Sequence, residues 1–145
     1  MILLDAYAVI ALLTGERAME EVSDILRGDE PVGMTGVGRA EVIDQLARTR
    51  GVDPDSLRAD LAILNFATIV SIDATIGDTA GVIRSAVYHR STCAVSMADC
   101  CLLASALHHG AAIASSDPHL LDAAQRVGVA TVPLLDTSGR RWQPR

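Results

Sequence analysis

Short runs rich in apolar and β-branched residues alternate along the chain with longer stretches of helical periodicity. The runs predict strands over residues 1–4, 31–34, 68–72, 111–115 and 129–133. Between them, apolar residues recur at the three- and four-residue spacing of one helix face. That spacing predicts helices over residues 6–13, 17–27, 35–50, 74–88, 96–110 and 118–128, and another that begins at Pro54. Alternating strands and helices indicate a layered α/β domain around a parallel sheet.

The length of 145 residues fits a single domain, and a hydrophobic fraction of 50% is sufficient for a core. We expect a domain over residues 1–135, followed by a polar tail over residues 136–145 that is loosely held. No apolar run reaches the roughly 18 residues of a membrane span. The apolar N-terminus lacks the basic residues of a signal peptide, so a cytoplasmic protein without membrane contact is expected.

The charge balance limits the possible partners. The net charge is −6, and all 12 basic side chains are arginines, because the chain contains no lysine. Binding to duplex DNA usually requires a basic footprint, which this chain lacks. The three cysteines, Cys93, Cys100 and Cys101, have neither a disulfide framework nor zinc-ligand spacing, and we expect them to be buried thiols.

Four acidic residues stand where a layered α/β domain carries chemistry. Asp5 follows the first predicted strand and Asp117 the fourth, while Glu41 and Asp99 lie in two of the predicted helices. Ligands of open α/β sheets bind at the carboxyl ends of the strands, so these acids can converge at one edge. Converging carboxylates favour a hard cation such as Mg²⁺ or Mn²⁺. Such a site is suited to phosphodiester hydrolysis.

Each acid also has a structural interpretation. The pair Ser96 and Asp99 has the spacing of a capping box, and Asp117 before a proline is typical of a helix N-cap. Glu41 alone would be a solvated helix residue. Asp5 lies in apolar sequence, where an unpartnered charge is costly to bury. Other candidate contacts to substrate, each with a surface or structural alternative, are Ser115, His119, Arg39, Arg84, Arg90 and Trp142.

With these residues identified, the sequence resembles the PIN-domain nucleases, and specifically the VapC-type toxins of bacterial toxin–antitoxin pairs. Residues 4–13 (LDAYAVIALL) resemble the first strand and helix of that family, with Asp5 as the first acid. Residues 35–46, 96–104 and 115–120 resemble the segments that carry the other three, here Glu41, Asp99 and Asp117. The resemblance covers residues 1 to about 135. Its departures, at residues 100–101 and 118–119, replace no acid.

The resemblance implies a three-layer α/β/α sandwich with a central, mainly parallel sheet. It implies a Mg²⁺- or Mn²⁺-dependent endoribonuclease that cleaves RNA with a metal-activated water. Its catalytic and metal-binding residues would be Asp5, Glu41, Asp99 and Asp117. It also implies a toxin with a small cognate antitoxin of the VapB type, and a homodimer.

Other Asp-based enzymes fit the sequence less well. A haloacid-dehalogenase-like phosphatase requires a second aspartate at the position of Tyr7, and it requires a lysine, as does a phospho-receiver domain. No P-loop motif is present. The alternative that stays open is a non-catalytic PIN-like module that binds RNA or protein.

Overall fold

One parallel sheet forms the centre of the computed structural model, which describes residues 1–64 and 66–144. Its strands are β1 (Ile2–Leu4), β2 (Val32–Thr35), β3 (Thr68–Val70), β4 (Ala112–Ser115) and β5 (Thr131–Pro133). They lie in the order β3-β2-β1-β4-β5, and all four pairings are parallel. The predicted strands are confirmed, although β3 ends at Val70 rather than at residue 72.

Seven helices connect the strands of the described chain. They are α1 (Ala6–Thr14), α2 (Met19–Arg27), α3 (Gly36–Arg50), α4 (Pro54–Ile63), α5 (Ala74–Val87), α6 (Met97–His109) and α7 (Pro118–Val127). Side chains cap most of their N-termini, and glycines at positive φ end four of them. Within residues 1–64 and 66–144, none of these helices has both the length and the apolar character that a bilayer span requires.

The helices form two layers around the sheet. Successive strand residues face opposite sides, so Leu3 packs with α5, α6 and α7, whereas Leu4 packs with α1, α2, α3 and α4. Ile113 and Ala114 of β4 divide between the two cores in the same way. The predicted three-layer α/β/α sandwich is confirmed, and its sheet is entirely parallel.

The strand order places a switch point between β1 and β4. From β1 the chain proceeds to β2 and β3 on one side, and it then returns to β4 and β5 on the other. Leu4 pairs with Ala114, and the backbone N–H of Asp5 donates to the carbonyl of Ala114 at 3.2 Å. The carboxyl ends of β1 and β4 are therefore neighbours, which is where open α/β sheets bind ligands.

The C-terminal segment, residues 136–144, packs against the domain. The Arg141 guanidinium contacts Glu21 of α2 and the carbonyl of Pro133. The Trp142 indole N–H donates to Asp122 of α7 at 2.8 Å. The expectation of a loose tail is therefore wrong for these residues, because carboxylates on two helices lie beside the exit of β5 and bind them.

Candidate active site

The four acids predicted from the sequence to form a site line one cavity at the carboxyl edge of the sheet. It has a volume of about 150 Å³, and its lining includes Asp5, Glu41, Asp99 and Asp117. Each acid comes from a different segment: the end of β1, α3, the first turn of α6, and the loop after β4. The fold therefore brings these carboxylates to one place, which we call the acid cavity.

Asp5 is the most buried of the four, with 8% of its surface exposed. Its Oδ1 accepts the N–H of Ala8 at 2.7 Å and so caps α1, while its Oδ2 accepts the hydroxyl of Ser115. Burial raises the pKa of Asp5 to about 7, and the negative charges of Asp99 and Asp117 add to that rise. The two hydrogen bonds oppose the rise but do not cancel it.

Asp99 belongs both to a helix cap and to the acid cavity. Its Oδ2 accepts the N–H of Ser96 at 2.7 Å, and its own N–H donates to the Ser96 hydroxyl at 3.0 Å. The capping box expected from the sequence is confirmed. Burial raises the pKa of Asp99, and the charge of Asp117 contributes in the same direction. The capping interpretation and the site interpretation are thus compatible.

Asp117 and Glu41 complete the lining from two other sides. Asp117 caps α7 through its Oδ1, which accepts the N–H of His119 at 2.8 Å. Glu41 lies on α3 and is partly buried, not solvated as a lone helix residue would be. Burial raises the pKa of Glu41, with Asp99 as the second cause. Both carboxylates thus face the same cavity as Asp5.

Two polar lining residues, Thr35 and Tyr7, were not recognised from the sequence as part of the site. Thr35 caps α3, and its hydroxyl oxygen accepts the N–H of Gly38 at 2.9 Å. It is the last residue of β2, whereas Asp5 is the first residue after β1. Tyr7 lines the cavity while its hydroxyl donates to the carbonyl of Leu135 at 2.9 Å. A threonine at a predicted strand–helix junction was the available signal for Thr35. The sequence around Tyr7 contained no signal for its place in the lining.

The donor set of the acid cavity fits a hard divalent cation, because all four groups offer carboxylate oxygens. As the side chains stand, no three His, Cys, Asp or Glu residues in the described part of the chain lie at metal-ligating spacing. Three of the four carboxylates use an oxygen in the cap of a helix, which turns that oxygen toward a backbone amide. Asp99 and Asp117 each retain a second oxygen, whereas the second oxygen of Asp5 accepts the hydroxyl of Ser115.

The fold is similar to several structures from toxin–antitoxin systems. FitAcB from Neisseria gonorrhoeae has a TM-score of 0.68 and 25% identity, over 90% of this chain and 96% of that one. VapBC2 from Rickettsia felis, bound to a promoter DNA fragment, has a TM-score of 0.67 and 14% identity, with coverages of 92% and 99%. VapC20 from Mycobacterium tuberculosis, a sarcin–ricin loop cleaving toxin, has a TM-score of 0.61 and 16% identity, over 78% of this chain and 87% of that one.

Comparison with curated proteins finds no match. The PIN domain family, in contrast, matches residues 2–126, from β1 into α7. That range holds all four acids of the cavity and most of the sandwich that surrounds it. The extent of the match confirms the resemblance found in the sequence, and the chain belongs to the PIN domain family.

Proposed function

We propose that this protein is a divalent-metal-dependent endoribonuclease and the toxin of a toxin–antitoxin pair. The observation that carries the proposal is the meeting of Asp5, Glu41, Asp99 and Asp117 in one cavity at the switch point of the sheet. Membership of the PIN domain family supports nuclease chemistry. The similarity to a sarcin–ricin loop cleaving toxin supports RNA as the substrate.

In this proposal, Asp5, Asp99 and Asp117 would hold one or two Mg²⁺ or Mn²⁺ ions. Glu41 would assist with a second ion or orient the attacking water. A bound cation supplies activation of water and stabilisation of charge on the attacked phosphate. Ser115 keeps the Oδ2 of Asp5 in place, and the cap of α1 keeps its Oδ1 in place, so the carboxylate enters the reaction already oriented.

The proposed partners follow from the same family membership. They are a small antitoxin of the VapB type, which would cover the acid cavity, and a second copy of this chain. Similarity to a toxin–antitoxin complex from Klebsiella pneumoniae, with a TM-score of 0.61, and to VapBC2 supports the antitoxin. Co-expression with the product of an adjacent short gene, followed by co-purification, tests that partner.

The catalytic proposal is tested by cleavage of a panel of structured RNAs with Mg²⁺ or Mn²⁺. We expect Asp5→Asn and Glu41→Gln to lower cleavage by roughly 100-fold, since even the loss of a group that supports a metal ligand costs about 10–100-fold. Asp55→Asn is the matched control, because Asp55 is exposed on α4 and pairs with Arg58 of the same helix. Equal cleavage by wild type and Asp5→Asn would refute the assignment.

Metal binding is measured separately by calorimetric titration of Mg²⁺ or Mn²⁺. Asp99→Ala should weaken the affinity, whereas Asp55→Asn should not. Unchanged affinity in Asp99→Ala removes Asp99 from the ligand set. Absence of cleavage with every metal, together with retained RNA binding, favours the non-catalytic PIN-like module instead.

A further inference from the structure

A second groove lies between the C-terminal part of α5 and the first turn of α6. It has a volume of about 270 Å³ and is lined by Gly81, Arg84, Ser85, Tyr88 and Met97. The guanidinium carbon of Arg84 stands 4.3 Å from the centroid of the Tyr88 ring, a cation–π contact. Tyr88 is 43% exposed and Met97 is 51% exposed. This arginine–tyrosine groove therefore offers solvent a cation, an aromatic ring and a thioether.

Arg84 differs from the arginines that neutralise acids on the surface. Those that form ion pairs are Arg27, Arg48, Arg50, Arg58, Arg140 and Arg141. Within the described chain, Arg84 has no acidic partner, and its Nε is buried without a hydrogen-bond partner. The ring of Tyr88 holds the guanidinium in position without neutralising its charge. Arg84 is thus a positioned cation with free charge.

The groove and the acid cavity share the first turn of α6. Met97 lines the groove, and Ala98 and Asp99 line the cavity. Both openings therefore lie at the N-terminal end of α6, on different sides of the helix, because residues two positions apart do not face each other. A nucleic acid strand with one phosphate at the acid cavity has to cross this end of the helix to reach the groove. The four carboxylates repel such a strand, so attraction has to come from a neighbouring cation.

We propose that the arginine–tyrosine groove is a subsite for single-stranded RNA, in which Arg84 binds a backbone phosphate and the exposed part of Tyr88 stacks on the adjacent base. This proposal rests on the proposed function, because it requires RNA to enter the acid cavity. A cation next to an aromatic surface is the combination by which proteins bind single strands without reading their sequence. An acidic protein segment would use the charge of Arg84 but would leave Tyr88 and Met97 without a flat apolar partner.

The experiment measures binding rather than cleavage. A fluorescein-labelled single-stranded RNA of roughly ten nucleotides, within the usual site size, is titrated with protein in Ca²⁺, a hard cation that carboxylates bind, and its anisotropy is recorded. Arg84→Gln should raise the Kd about tenfold and reduce the slope of log Kd against log salt by about 0.7, the value for one phosphate contact to a single strand. Tyr88→Leu should also raise the Kd about tenfold, with an unchanged salt slope.

Three controls make the result specific. Arg58→Gln removes an exposed arginine that is paired with Asp55 on α4, and it should leave the Kd within about twofold of wild type. Arg84→Lys keeps the charge and should retain the salt slope. Thermal unfolding of each variant shows whether the domain is folded, and Tyr88→Leu provides a second test should Arg84→Gln unfold.

The proposal is overturned if wild type binds no RNA, or if Arg84→Gln and Tyr88→Leu, both folded, bind as wild type does. It is also overturned if only a glutamate-rich peptide binds in an Arg84-dependent way, which would make the groove a protein-docking site. Failure of the nuclease proposal gives a different result. In that case, Arg84-dependent RNA binding persists while cleavage does not depend on Asp5 or Glu41.

Discussion

The hydroxyl of Ser115 donates a hydrogen bond to the Oδ2 of Asp5 across 110 positions of sequence, and it thereby joins the ends of β4 and β1. The same hydroxyl oxygen accepts the N–H of Asp117 at 3.0 Å. Ser115 is fully buried and orients Asp5 from behind the acid cavity. One hydroxyl group thus links two acids of the cavity, which makes Ser115 a positioning residue in the proposed nuclease.

Replacing Ser115 should show whether it orients the carboxylate of Asp5 for cleavage or contributes only to the stability of the fold. In Ser115→Ala, Asp5 loses one of the hydrogen bonds that hold its pKa down, so its pKa should rise further and Mg²⁺-dependent cleavage should fall. Ser105→Ala is the matched control, since Ser105 is equally buried and donates to Cys101 within α6. Both variants should lose about 1 kcal/mol of unfolding free energy. A loss of cleavage in both, or in neither, would contradict the positioning role.

Asp5 should make the metal-free protein less stable as pH rises. Its pKa in the folded protein is about 7, compared with an ordinary value of 3.8, so between these values the folded state binds more protons than the unfolded state. Stability is therefore highest below about pH 4 with respect to this group, and it decreases until about pH 7. The full difference corresponds to an upper limit of roughly 4 kcal/mol.

The measurement is urea unfolding in EDTA between pH 4 and 8 for wild type and Asp5→Asn. The difference between the two proteins isolates this carboxyl group from the other acids. The unfolding free energy of Asp5→Asn minus that of wild type should increase as the pH rises toward 7. A difference that stays constant over this range would show that Asp5 titrates at its ordinary pKa.

Gly33 of β2 pairs with Thr68 of β3, and the space between them leaves no room for a larger side chain at position 33. A Cβ at this position would lie 2.7 Å from both the Cγ2 and the carbonyl oxygen of Thr68, which forces the strands apart. Gly33→Ala should lower the unfolding free energy by about 1–3 kcal/mol. Gly77→Ala on α5, where a Cβ meets nothing within 4 Å, should instead stabilise the protein by about 0.5–1 kcal/mol. Equal effects in chemical denaturation would contradict this packing.

The C-terminal segment can be followed through Trp142, the single tryptophan of the chain. Removing its hydrogen-bond partner in Asp122→Ala should release the indole and shift its fluorescence emission to longer wavelength. The midpoint of thermal unfolding should change little, because the contact is at the edge of the domain. Asp24→Ala, at an exposed acid of α2 paired with Arg27, should leave the emission unchanged. An unshifted spectrum in Asp122→Ala would indicate a loose tail.

The elements of the fold were predictable because their signals are local. Short apolar runs indicated the strands of the described chain and apolar periodicity its helices, while Ser96, Asp99 and Asp117 indicated two helix starts at the observed residues. Asp5 was recognised as a site residue because a charge behind an apolar strand requires a partner. The roles of Asp5 and its three companions in catalysis are still predictions, to which the experiments above are addressed.

The sequence by itself determined the elements, their parallel layering and the identity of four acids. Only the tertiary structure decided that β1 lies beside β4, that Thr35 and Tyr7 join the lining, and that Met97 of α6 lines one groove with Arg84 of α5. It also decided that Trp142 is bound rather than loose. The physical reason is that periodicity and capping depend on residues within a few positions, whereas these contacts depend on how the strands and helices pack, which joins segments up to 128 positions apart.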